Sequence, residues 1–159
     1  MLGVDPGLVG TGYGLIEARP GEVGVIAAGV VATNAAQSLE SRLKQIYDGI
    51  DGVLAEHGPS TIVIEDVYTE YKFPRSALQM AHARGVICLA AEQRGVTVMA
   101  LAPAAVKRAI SANGAASKTQ MQECVRRHLR LEALPRPSHV ADALALALTG
   151  FWRLGGRLP

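Results

Sequence analysis

Short apolar runs alternate with amphipathic stretches along the chain. Leu2-Gly3-Val4 ahead of Asp5 predicts a strand over residues 1–5, closed by a Pro6-Gly7 turn. Residues 12–18 and 23–33 predict two further strands, with Arg19-Pro20-Gly21 as the hairpin turn. Ser38 is placed as an N-cap. Leu39, Leu43, Ile46, Ile50, Val53 and Leu54 then recur at helical spacing until His57-Gly58-Pro59 ends the helix. Residues 61–65 form a short apolar run of the kind buried in a central sheet. Residues 67–75 read as a loop. A long Ala-rich helix is predicted over 76–93, with Gly85 inside it and Gly95 as its C′ residue. Residues 96–101 predict the last strand. Pro103 suits the first turn of a helix running to about Ser111, and Asn113-Gly114 marks a turn. Ser117 caps a helix over 118–129. Pro135 and Pro137 interrupt the chain, and Ser138 opens a last helix ending near Gly150.

The order βββαβαβααα predicts an α/β domain, a mixed sheet of about five strands with helices on both faces. A single domain over residues 1–153 is expected, followed by a frayed tail over 154–159. Of the 159 residues, 49% are apolar and 19% charged, which excludes a disordered chain. No apolar run is long enough to span a bilayer, and no basic region precedes the first strand, so a cytoplasmic protein is expected. Cys88 and Cys124 match no zinc spacing and no disulfide framework.

The net charge of +2 neither demands nor excludes a nucleic-acid partner, but its distribution is uneven. Acids concentrate before residue 71, whereas 13 of the 16 Lys and Arg residues lie from Lys72 onward. This predicts a positive flank beside an acidic site. Asp5 and Glu65 each end a predicted strand, and Asp142 opens the apolar run 143–149. Three acids beside buried backbone need a partner, because an unpaired buried carboxylate is costly. A divalent cation held by oxygen ligands satisfies all three. His139 precedes Asp142 by three residues, which puts both on one helix face. Asp66, adjacent to Glu65, points to the opposite face and is left out of the site. Lys107 and Lys118 each lie in the first turn or two of a helix, where the macrodipole does not favour cations. Their reason for being there is thus not helix stability. Tyr68, Tyr71 and Phe73, interleaved with Lys72 and Arg75, suit stacking on unpaired bases and tracking of phosphates.

Several segments resemble the RuvC family of Holliday-junction resolvases. Gly3-Val4-Asp5-Pro6-Gly7 with Gly10-Thr11-Gly12-Tyr13-Gly14 looks like the family's opening. Ile62-Val63-Ile64-Glu65-Asp66-Val67-Tyr68 resembles its second catalytic strand, and Ala81-His82-Ala83-Arg84-Gly85-Val86 the helix that follows. Val106-Lys107 and Ser117-Lys118 match two basic positions. His139-Val140-Ala141-Asp142-Ala143-Leu144-Ala145 resembles the last acidic motif. The likeness covers nearly the whole chain in order.

The resemblance implies an RNase H-like fold, a homodimer and metal-dependent resolution of four-way DNA junctions by paired cuts, in recombination and repair. It implies catalytic roles for Asp5, Glu65, His139, Asp142 and Lys118. Asp5, Glu65, His139 and Asp142 would bind two Mg²⁺ or Mn²⁺ ions, and Tyr68, Tyr71, Phe73, Arg75, Lys107 and Lys118 would bind DNA. It also implies a branch-migration motor complex as partner and nucleoid association. His139 departs from the all-carboxylate pattern of many members, although some carry His there. It is either a ligand favouring Mn²⁺ or an acid–base group. The Ala-rich helix, residues 77–91, is the dimer-interface candidate. Arg84 is assigned a helix-surface or dimer contact. Two other readings stay open: an actin-like or sugar-kinase-type ATPase, because Asp5-Pro6-Gly7 and the glycines after it resemble a phosphate loop, and an RNA-processing nuclease of the same fold.

Overall fold

The computed structural model describes residues 1–19, 22–67 and 74–156. Ten elements follow in order: β1 (Leu2–Asp5), β2 (Gly10–Arg19), β3 (Glu22–Ala32), α1 (Leu39–His57), β4 (Thr61–Glu65), α2 (Pro74–Gln93), β5 (Thr97–Leu101), α3 (Pro103–Ser111), α4 (Lys118–His128) and α5 (Ser138–Arg153). The strands form one sheet in the order β3-β2-β1-β4-β5. The β1–β2 and β2–β3 pairs are antiparallel, while β4 lies parallel to both β1 and β5. This is the mixed five-stranded sheet the pattern predicts.

Strand alternation divides the core into two layers. Leu2, Val4, Ile62 and Ile64 pack with Ile46, Ile50 and Ile87 of α1 and α2. Val63 and Leu101 pack on the other face with Leu144 and Leu148 of α5, Val106 of α3 and Val125 of α4. Asp5 and Glu65, each one residue beyond an inward-facing Val4 or Ile64, therefore leave the sheet on the α5 side. Asp66 falls on the α2 side and meets Arg84 there, Nη2 to Oδ1 at 3.5 Å. Arg84 is thus tied to the end of β4, where the sequence predicts a free surface or dimer contact.

Two glycines let α5 lie directly on the sheet. A Cβ on Gly3 would stand 1.9 Å from the Ala143 carbonyl oxygen, and one on Gly12 would stand 2.2 Å from that of His139. Of the residues from Val140 to Gly150, all but Asp142 are buried. Each leucine so buried contributes roughly 1.5–3 kcal/mol.

Local signals set the ends. Ser38 accepts from the Ser41 N–H at α1, and Gly58 closes that helix in the left-handed region at φ 53°. Ser117 and Gln120 form a capping box on α4. The α5 N-cap is Pro137, with no side-chain cap. Three boundaries differ from the expected ones by two residues or more. β2 starts at Gly10, because Gly10 and Thr11 pair with Ala32 and Val31. α2 starts at Pro74, in a first turn where the missing N–H costs nothing. α5 continues three residues past Gly150. Leu154, Gly155 and Gly156, expected to be frayed, instead donate their N–H groups to the Gly150, Trp152 and Phe151 carbonyls that end the helix. No helix among the described residues is long and apolar enough to cross a membrane.

Candidate active site

The site forms where the strand ends meet the first turn of α5. Asp5 ends β1 and Glu65 ends the neighbouring parallel β4, so both acids reach the same sheet end on the same face. α5 crosses β1 and β2 there, held close by Gly3 and Gly12, and brings His139 and Asp142 down from one helix face. Lys107 of α3 and Lys118, the first residue of α4, close the other side. Together these groups line a cleft of about 340 Å³ whose apolar wall includes Val106, Met121 and Leu146.

Within the cleft His139 Nδ1 lies 2.7 Å from Asp5 Oδ2. The Asp5 side chain is 15% exposed and that of His139 45%, so the pair joins a largely covered carboxyl group to a solvent-facing ring. One ligand atom each from Asp5, His139 and Asp142 lie within 4.8 Å of one another. Glu65 lines the same cleft but stands outside this close trio. The sequence expects all three acids at one sheet end and does not separate them by distance. β4 carries Glu65 one strand further from α5's first turn than Asp5, which accounts for the offset.

The electrostatics favour a positive charge among the acids. Burial, then the Asp5 and Asp142 carboxylates, push the Glu65 carboxyl up to about 7, against a smaller opposing pull from Lys107. Burial and Asp5 raise Asp142 as well, opposed by Lys118, His139 and Lys107. The hydrogen bond to Asp5 holds the His139 imidazolium above its ordinary value. Carboxylates this close cannot all ionise cheaply without a cation between them. Two carboxylates and an imidazole in one close trio, with a third carboxylate beside them, form a donor set that suits a divalent ion.

The remaining sequence candidates distribute differently. Arg75 is exposed in the first turn of α2 and is not among the cleft's lining residues. Tyr68, Tyr71 and Phe73 lie outside the described residues. The apolar wall was not anticipated, although Ala145 and Leu146, three and four residues after Asp142, follow from the helical spacing that pairs His139 with Asp142.

Comparison with known proteins agrees with this geometry. The family model of crossover junction endodeoxyribonuclease RuvC matches residues 1–150. The curated protein of that name from Rhodopirellula baltica is 40% identical over 152 residues, covering 96% of this chain and 85% of its own. The one from Treponema pallidum is 41% identical over 149 residues, covering 94% and 76%. RuvC of Thermus thermophilus, solved in complex with Holliday junction substrate, superposes with a TM-score of 0.88 at 33% identity, over 97% of this chain and 94% of that one. From its sequence, fold and matched length, this chain belongs to the RuvC family of crossover junction endodeoxyribonucleases.

Proposed function

We propose that this protein is a structure-selective endodeoxyribonuclease that resolves four-way DNA junctions by paired, metal-dependent phosphodiester hydrolysis. One observation carries the proposal: Asp5, Glu65, His139 and Asp142 share a single cleft with Lys107 and Lys118. Acids that collect cations, faced by lysines that attract phosphate, are what a phosphodiester needs on its two sides. Asp5, Glu65, His139 and Asp142 are assigned as the residues that hold two Mg²⁺ or Mn²⁺ ions. When bound, such ions supply an activated water and neutralise charge at the leaving oxygen. Lys118 and Lys107 hold the phosphate against the acids from the α3–α4 side. Glu65, pushed up to about 7, would give up its proton where a cation bound beside it.

The wider partner set rests on the same reading. Tyr68, Tyr71, Phe73 and Arg75 are assigned to the distorted junction centre, beyond Glu65 in the chain. A two-fold junction calls for a C2 dimer that presents two clefts in matching orientation. The α2 helix supports this with an exposed stripe at helical spacing, Leu78, His82, Gly85 and Leu89, in which Leu78 is 62% and Leu89 51% exposed. The small residues expected to form that interface divide between faces, since Ala83, Ala90 and Ala91 are fully buried in the core. A branch-migration motor is the further partner such an enzyme would serve.

The test is cleavage of a synthetic four-way junction, a linear duplex and an RNA–DNA hybrid, each with and without Mn²⁺. Symmetric cuts confined to the junction and dependent on metal are expected. Equal cutting of the hybrid would favour RNA processing, and ATP hydrolysis without DNA would favour the kinase-like reading.

A further inference from the structure

Arg42 lies near the start of α1 and is buried, at 9% exposure. It begins an inward-facing ladder continued by Ile46, Ile50 and Leu54 at four-residue intervals. A guanidinium in such a position calls for a carboxylate, since a buried charge is costly unless paired. Among the described residues Arg42 forms no ion pair with one.

Its donors go instead to the turn that follows Asp5. Nε donates to Thr33 Oγ1 at 2.9 Å, and Nη2 donates to the Leu8 carbonyl at 3.0 Å. Thr33 Oγ1 donates to the same Leu8 carbonyl at 2.6 Å, and the Thr33 N–H donates to the Val9 carbonyl at 3.0 Å. Thr11 Oγ1 donates to the Gly7 carbonyl at 2.9 Å. Three successive carbonyls are thereby held from β2, from the end of β3 and from α1.

We infer that Arg42, acting with Thr33, is a positioning residue for Asp5. The clamp fixes residues 7–9 and so aims the Asp5 carboxylate at His139 and Asp142. β1 has four residues and ends at Asp5, which pairs with Gly12 of β2 on one side while the register with β4 stops at Val4 and Ile64 on the other. An apolar residue would fill the same space on the ladder, but it would remove one of the two donors on the Leu8 carbonyl and leave Thr33 Oγ1 there alone. The inference rests on the metal-binding reading of the cleft and adds the residues that shape it from the opposite face of the sheet.

Arg42→Met and Thr33→Val in the full chain test this by three readouts: Mn²⁺ affinity, amide exchange in the metal-free protein, and kcat and KM on a synthetic four-way junction. Exchange across residues 7–10 should rise at least about tenfold, with β4 and α5 unchanged. Mn²⁺ affinity and kcat should each fall about 10–100-fold, as for supporting residues behind metal ligands, with KM within about twofold. Arg42→Lys, which retains a donor, should recover part of the Mn²⁺ affinity. Unchanged Mn²⁺ affinity and exchange in both variants would overturn the inference, as would loss of protection spread evenly through the core. If Arg42→Met does not fold, Thr33→Val decides alone, and Mn²⁺ affinity within twofold of wild type overturns the inference. If the wild type binds Mn²⁺ but leaves junctions intact, the nuclease reading falls while affinity and exchange still judge Arg42.

Discussion

His139 Nδ1 and Asp5 Oδ2 lie 2.7 Å apart although 134 residues separate them in the chain. This contact joins the end of the first strand to the start of the last helix, and it shapes the donor set of the cleft. An imidazole in place of a carboxylate removes one negative charge and adds a softer nitrogen donor. That exchange favours Mn²⁺ relative to Mg²⁺.

His139→Asp should therefore lower the ratio of Mn²⁺- to Mg²⁺-supported junction cleavage, by about tenfold. Rates measured at saturating metal for both proteins check this. A ratio that is the same in wild type and variant would remove His139 from the determinants of metal choice.

Asp5→Asn, Glu65→Gln and Asp142→Asn should each reduce cleavage by about 10³-fold or more while junction Kd stays within a few-fold, because on the proposed reading these side chains hold metal rather than DNA. Gel-shift binding beside single-turnover cleavage separates the two. Binding lost in step with cutting would mean that the acids act through the DNA interface or the fold.

The raised pKa values carry a prediction for stability. Glu65 titrates near 4.5 when unfolded and at about 7 when folded, so the folded protein keeps a proton that the unfolded chain releases across that window. Metal-free stability must then fall as pH rises from about 4.5 to 7. Asp142, also raised, acts in the same direction. The raised His139 contributes stability that is complete below its unfolded value and is lost as pH climbs through its folded one. Glu65→Gln removes the largest contribution, so it should stabilise the metal-free protein at pH 8 by about 2–3 kcal/mol relative to wild type. The difference should vanish below about pH 4. Urea unfolding of both proteins at the two pH values measures this, and Mn²⁺ at pH 8 should stabilise wild type more than the variant. Equal stabilities at pH 8 would mean that burial and the neighbouring carboxylates do not penalise the Glu65 charge.

Lys107→Ala should weaken junction binding and reduce the slope of log affinity against log salt by about one, since on the proposed reading it deletes one phosphate contact. Titrations across a range of salt concentrations read the slope directly. An unchanged slope would take Lys107 off the DNA face.

Much of this architecture is legible in the sequence, for identifiable reasons. β1 and β4 are short and apolar because both faces are covered, with residues 2–4 and 61–64 all buried. Ser38 and Ser117 mark helix starts because each accepts an N–H of the first turn. Gly150 misleads: it reads as a helix stop but serves close packing, since a Cβ there would lie 2.5 Å from Val63 Cγ2. Arg42 is hidden for a related reason. A charged residue in an amphipathic helix reads as solvated, and only the coordinates show its donors turned inward. The offset of Glu65 from the Asp5–His139–Asp142 trio is likewise invisible to spacing, because it depends on which strand lies nearer α5.

The central claim is that side chains scattered from residue 5 to residue 142 assemble one divalent-cation site. A crystal structure of the protein soaked with Mn²⁺, read by anomalous scattering, tests it most directly. The account predicts Mn²⁺ in the cleft with Asp5, His139 and Asp142 among its ligands and Glu65 completing the set. Ions bound elsewhere, with these four side chains uncoordinated at saturating Mn²⁺, would contradict it.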